Sequence, residues 1–222
     1  MSEAFEALVA EQATPLLRTA YLLTGDHAQA RELLHAALIA THRHGDTLAD
    51  PAAHARQQLV RAATRWTRRL RLGDLLGDSP LLAGASGLPG FGTPNRAEPG
   101  PRTELTAALA QLPARQRAAV VLRHGEGLSE AATAEALDTS TDDVRGLLAA
   151  GLAGLDRALS GSVDVAWLRT ELGARAAEVA AAPDDTLAAV LDGARSQHGH
   201  RVGLAVVAAF VVLVVLLVAL TV

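Results

Sequence analysis

Residues 73–102 divide the sequence, because seven glycines and five prolines take up 12 of these 30 positions. Glycine increases the freedom of the backbone, and proline continues neither a helix nor a central strand. The glycines match neither a dinucleotide-binding fingerprint nor a phosphate-binding loop, so we interpret the stretch as a flexible linker. The pattern predicts two small units, at 1–72 and 103–160, one on each side of it.

Both units are predicted to be all-α. The chain is 50% hydrophobic but only 3% aromatic, and its abundant alanine and leucine favour helices over strands. Apolar residues recur at helical spacing in both units, with breaks at Gly25, Pro113 and Asp138. All 20 basic residues are arginine and cysteine is absent, which excludes lysine and thiolate catalysis and cysteine-ligated zinc. The residues form no recognisable catalytic, metal or cofactor site, and we expect no enzyme.

A row of arginines marks the helix that is predicted to end near Leu72. Between His54 and Arg71 the sequence has six arginines and no acidic residue. Like charges at four-residue spacing disfavour an isolated helix, whereas a nucleic-acid backbone would neutralise them with release of counterions. A solvated face, or pairing with acidic residues elsewhere in the fold, remains the alternative. The candidate DNA-binding residues of this unit are Arg56, Arg61, Arg65, Arg68, Arg69 and Arg71.

The second unit has the pattern of a helix-turn-helix. Ser129 is placed to cap a short helix that reaches Leu137, and a longer helix starts near Thr141 after a tight turn. Residues 103–160 have five arginines and eight acidic residues, the wrong balance for a duplex-binding module. The leucines of the longer helix are either an exposed groove for a protein partner or part of the core: Leu147, Leu148, Leu152 and Leu155.

In this order the elements resemble an extracytoplasmic-function sigma factor, a small bacterial sigma factor with only regions 2 and 4. The resemblance covers about 3–72, with PLLRTAYLLTGDHAQARELLHAAL and RQQLVRAATRWTRR, and 103–160. Its most specific part, LPARQRAAVVLRHGEGLSEAATAEAL, is similar to the start of region 4. The resemblance implies a four-helix region 2 that binds core RNA polymerase and melts the minus-ten promoter element, and a region 4 that reads the minus-thirty-five element.

The resemblance also assigns residues to these roles. His35 and Ala36 stand where the family's polymerase-binding helix has a glutamine-glutamate pair, and Arg61 and Arg65 stand where its minus-ten helix has asparagine and aspartate. The candidates for polymerase binding are Glu32, Leu33, His35, Leu38 and Ile39. The candidates for weak DNA contacts in the region-4-like unit are Thr139, Ser140, Thr141 and Arg145.

Residues 161–201 are acidic, and their apolar positions predict one helix over Val165–Ala176 and a shorter one after Pro183. The segment resembles the cytoplasmic part of membrane-bound anti-sigma proteins, without the histidine-cysteine zinc motif that many of them have. We interpret it either as a spacer or as a segment that folds back on the preceding units and restrains them.

Residues 202–222 have no charged side chain, and 21 helical residues span about 31 Å, the thickness of a hydrocarbon core. They predict a single transmembrane helix in the cytoplasmic (inner) membrane; a buried core helix is the alternative. Arg195 and Arg201 precede the span, which predicts that the N-terminal part is cytoplasmic.

Two functions fit these patterns. The first is a membrane-anchored sigma factor that binds core RNA polymerase and promoter DNA, with an anti-sigma or other regulatory protein as a further partner. The alternative is a sigma-derived adaptor that binds protein partners and has lost promoter recognition.

Overall fold

A computed structural model describes residues 3–44, 47–76, 104–161, 163–183 and 185–194, and for 66–76 it describes the backbone alone. These residues form helices and short connections, without a strand among them, as the sequence predicted. No helix within these ranges has both the length and the apolar character needed to cross a bilayer. The transmembrane span predicted at 202–222 lies outside the described residues.

The first unit consists of α1 (Glu3–Thr24), α2 (His27–His42) and α3 (Pro51–Leu76). Gly25 ends α1 with φ +69°, a left-handed conformation in which glycine is favoured. Asp26 caps α2, because its side chain accepts a hydrogen bond of 2.8 Å from the backbone N–H of Gln29. The described part of this unit has three long helices instead of four, and α3 continues past its predicted end near Leu72 into the glycine- and proline-rich stretch.

The second unit contains α4 (Glu104–Gln111), α5 (Ala114–Val120), α6 (Glu130–Leu137) and α7 (Thr141–Ala158). Helix α5 ends in a π-helical turn at Val121–Gly125, which the sequence did not predict. Both predicted starts of the helix-turn-helix are confirmed. The Ser129 hydroxyl accepts from the N–H of Ala132, and Ser140 forms a reciprocal capping box with Asp143.

The acidic segment that follows forms α8 (Val165–Glu178) and α9 (residues 186–194), which confirms the two predicted helices. Asp164 caps α8 by accepting a hydrogen bond from the N–H of Trp167. Leu168, Leu172 and Val190 are fully buried. Burial of these side chains means that both helices are packed against the rest of the chain.

The units on either side of the linker share one continuous core, an arrangement that the linker did not predict. Arg117 of α5 is buried, and its Nη1 donates a hydrogen bond of 2.6 Å to the carbonyl of Leu23 near the C-terminus of α1. Carbonyl groups at the end of a helix carry partial negative charge, so they stabilise this buried cation. Arg117 therefore joins the two units from inside the core.

Candidate nucleic-acid and polymerase interface

The N-terminal half of the arginine row faces the second unit. Arg56 donates from Nε to Oε2 of Glu126 over 2.8 Å, and the two side chains are only 21% and 19% exposed. The other carboxylate oxygen of Glu126 accepts a hydrogen bond of 2.5 Å from the hydroxyl of Thr19 in α1. Glu126 therefore bridges α1 and α3 from the loop that follows the π-helical turn.

A second ion pair joins α3 to α6. Arg61 donates from Nη2 to Oδ2 of Asp138 over 2.8 Å, and Gln57 donates from Nε2 to the carbonyl of Glu135 over 3.3 Å. Asp138 ends α6 with φ 52°, and this left-handed conformation sets the direction of the turn before α7. Because both partners are largely exposed, the pair contributes at most about 1 kcal/mol, but it places α6 along the side of α3.

The six predicted DNA-binding arginines thus fall into three groups. Arg56 and Arg61 pair with acidic residues of the second unit, which is the alternative that the sequence left open. Arg65 is exposed and donates from Nε to the carbonyl of Arg61 over 3.1 Å. The side chains of Arg68, Arg69 and Arg71 lie outside the described part of α3. Among the arginines of the row whose side chains are described, Arg65 is the one without an acidic partner in the described part of the chain.

The helix-turn-helix engages its own candidate residues. The hydroxyls of Thr139 and Ser140 donate to the same oxygen of Asp143, over 2.9 and 2.7 Å, and these hydrogen bonds, that of Ser140 foremost, lower the pKa of the Asp143 carboxyl. Arg145 donates from Nε to Oε2 of Glu130 over 2.9 Å and from Nη1 to Oδ1 of Asp142 over 2.7 Å. Thr141 begins α7 and is half-buried. Internal acidic residues therefore engage the side chains of Thr139, Ser140 and Arg145.

The leucines of α7 favour the core interpretation over an open groove. Leu155 is fully buried, and the other three are partly buried and packed against the core: Leu147, Leu148 and Leu152.

The predicted polymerase-binding residues lie on two sides of α2. Leu33 and Leu38 face the core and are buried. Glu32 is exposed and His35 half-buried on the opposite, outer face. Ile39 shares that outer face, because it follows Glu32 by seven residues, two helical turns. It is nevertheless only 7% exposed.

His124, in the π-helical turn, lies near Arg169 of α8, which packs over the second unit. Burial lowers the pKa of His124, and Arg169 of α8 and then Arg123 lower it further. A neutral imidazole at this position avoids a third positive charge beside two guanidinium groups. Among the described residues, no group of three or more histidine, aspartate or glutamate side chains is arranged to hold a metal ion.

Sequence reasoning missed Glu126 and Asp138, which restrain α3. They lie 70 and 77 residues from the arginines that they pair with. Their local signal is weak: Glu126 stands between two glycines and Asp138 ends a short helix. Neither position indicates its partner.

The sequence of this chain is similar to those of known sigma factors. Residues 102–154, which contain α4 to α6 and most of α7, match the family described as Sigma-70, region 4. The chain is 34% identical over 154 residues to the RNA polymerase sigma-E factor of Streptomyces avermitilis, covering 68% of this chain and 82% of that protein. It is 32% identical over 158 residues to the RNA polymerase sigma-E factor of Streptomyces coelicolor, and the match covers 68% of this chain and 83% of that protein.

A solved structure has a similar fold. It is the sigma factor RpoE of Bartonella quintana in complex with the anti-sigma factor NepR, with a TM-score of 0.52 and 18% identity. The similarity covers 72% of this chain and 98% of that one.

Proposed function

The chain belongs to the extracytoplasmic-function sigma factor family, and from this premise we propose that it binds core RNA polymerase and directs it to promoter DNA. The observation that carries the proposal is the capped helix-turn-helix of α6 and α7, which lies almost entirely within the residues that match sigma region 4. The outer face of α2 is the proposed polymerase contact, and the arginine row of α3 is the proposed contact with DNA.

The polymerase contact is tested by reversing a charge on the outer face of α2. Glu32 is exposed and is the acidic residue that the resemblance assigns to polymerase binding. We expect Glu32→Arg to weaken binding of the full chain to Streptomyces core RNA polymerase about tenfold, a loss of about 1.4 kcal/mol, because the substitution replaces an attractive charge at the contact with a repulsive one. Binding is measured by fluorescence anisotropy of the labelled chain in mild detergent.

Glu11→Arg is the matched control, because Glu11 is also exposed on a helix of the same unit but lies on α1. Its affinity for the polymerase should equal that of the parent chain. Equal weakening by both substitutions would show a general charge effect and remove α2 as the contact.

DNA binding by α3 requires the two units to separate in this proposal. Glu126 and Asp138 hold Arg56 and Arg61, and a phosphate backbone has to displace these carboxylates before the arginines are available to it. The closed arrangement is therefore the resting state, and the open one is the state that reads a promoter.

The adaptor without promoter recognition is the second candidate. The engagement of Arg145 by Glu130 and Asp142, together with the acidic balance of 103–160, favours it. The two candidates differ in one outcome, because an adaptor binds polymerase and starts no transcripts.

Attachment to the cytoplasmic membrane through residues 202–222 is a separate part of the proposal, and it rests on their length and lack of charge. In cells, we expect the full chain to stay in the membrane pellet after a carbonate wash. Release into the supernatant would contradict the anchor and leave the polymerase and DNA contacts unaffected.

A further inference from the structure

The outer face of α2 is covered at one point by the C-terminal segment. Ile39 lies on the same face as the exposed Glu32 and Ala36, yet it is buried. Gly193 of α9 lies against this side chain, because a Cβ atom built at Gly193 would be 2.8 Å from Cδ1 of Ile39. The backbone of α9 is thus in direct contact with the face to which the proposed function assigns core RNA polymerase.

The segment that carries α9 is folded onto both units. Leu168 and Leu172 of α8 are fully buried, and Leu172 lies 3.7 Å from the Cβ position of Gly125 in the π-helical turn. Between α8 and α9, the N–H of Ala182 donates a hydrogen bond of 3.1 Å to the hydroxyl of Thr14 in α1. Contacts at both ends and in the middle show that 163–194 is not an extended spacer.

We propose that α8 and α9 form an intramolecular competitor of core RNA polymerase, with α9 occupying the polymerase-binding face of α2. The inference rests on the proposed function, and it adds the occupant of the site and its regulation. Polymerase can bind only the molecules in which α9 has left α2. The apparent affinity is therefore the intrinsic affinity multiplied by the fraction of such molecules. The occupant lies beyond residue 154, where the match to sigma region 4 ends.

A reversible crosslink tests the competition directly. The chain has no cysteine, so the double variant Ile39→Cys/Gly193→Cys has a single possible disulfide within one molecule. The Sγ atom of a cysteine at position 39 would take about the place of Cγ1 of Ile39, which lies 3.8 Å from the Cβ position of Gly193, so a small side-chain adjustment brings the two sulfur atoms into bonding distance. We expect oxidation to lock α9 on α2 in the full chain.

The expected result is that the oxidised protein binds core RNA polymerase at least about tenfold more weakly than the same protein after reduction, the change that a 1.4 kcal/mol difference produces. The control is Ile39→Cys/Gly173→Cys. Gly173 is exposed on α8, with no atom of the described residues within 4 Å of its Cβ position. Its binding should not depend on oxidation.

Displacement of α9 tests the same competition in the opposite direction. Gly193→Glu places a charged side chain against Ile39 and should strengthen polymerase binding, whereas Gly173→Glu should leave it unchanged.

The outcomes separate the two proposals. A disulfide that forms without changing polymerase binding, or fails to form, overturns the competition and leaves the proposed function in place. If the parent chain, the reduced protein and Gly193→Glu all fail to bind polymerase, the proposed function fails and the competition fails with it.

Discussion

Replacing Gly151 with leucine is expected to lower the free energy of unfolding by about 1–3 kcal/mol, the usual cost of overpacking a filled core. Gly151 is buried where α7 crosses α5, and a Cβ atom there would lie 2.8 Å from Cγ2 of Val120 and 3.4 Å from the carbonyl oxygen of Gln116. The backbone carbonyl cannot rotate away from the added side chain. Helix α7 therefore has to move from α5, and the helix-turn-helix loses its support.

Gly146→Leu is the matched control, because Gly146 lies in the same helix but is exposed, with nothing in the described part of the chain within 4 Å of its Cβ position. There leucine should raise stability by up to about 1 kcal/mol, since glycine is the poorer helix former. Urea unfolding of both full-length variants, followed by circular dichroism in the same detergent, measures the difference. Equal stabilities would contradict close packing of α7 on α5.

The double variant Glu126→Gln/Asp138→Asn is expected to bind duplex DNA about tenfold more tightly than the parent chain at low salt. The amides keep the shape of the side chains but remove the charges that hold Arg56 and Arg61. Both arginines then become available to phosphates. Because two more phosphates are neutralised, the slope of log affinity against log salt should become steeper by about two. Fluorescence anisotropy with a mixed-sequence duplex measures both quantities.

Glu104→Gln/Glu135→Gln removes the same charge from the same unit. Both carboxylates are exposed, and the structure shows no ion pair to either of them among the described residues. This control should gain only the small, nonspecific affinity that follows from a change in net charge. If the two double variants gain affinity equally, Glu126 and Asp138 do not mask the arginine row.

Features set by neighbouring residues were predictable from the sequence. Ser129 and Ser140 cap their helices through hydrogen bonds to backbone groups three residues away, so the bounds of α6 and the start of α7 were predicted correctly. The same holds for the start of α3 at Pro51. The extension of α3 past Gly73 was missed, because one glycine costs a helix only about 1 kcal/mol.

Features set by distant residues were not predictable in the same way. The arginine row of α3 showed that a negative partner was needed, but periodicity does not distinguish a phosphate from Glu126, 70 residues away. Ile39 is buried and in contact with Gly193 of α9, and the sequence left open whether that segment is a spacer or folds back. The candidate site was therefore predicted as a set of residues, while the contacts that cover it required the fold.

Transcription from purified genomic DNA tests the central claim, that this chain directs core RNA polymerase to promoters. Streptomyces core polymerase is incubated with genomic DNA and the full chain in mild detergent, and the 5′ ends of the transcripts are sequenced. We expect discrete start sites that depend on the chain and share two upstream elements, with more transcript from Glu126→Gln/Asp138→Asn than from the parent. Binding to polymerase without any chain-dependent start site, in the parent and in that variant, would contradict the claim and favour the adaptor.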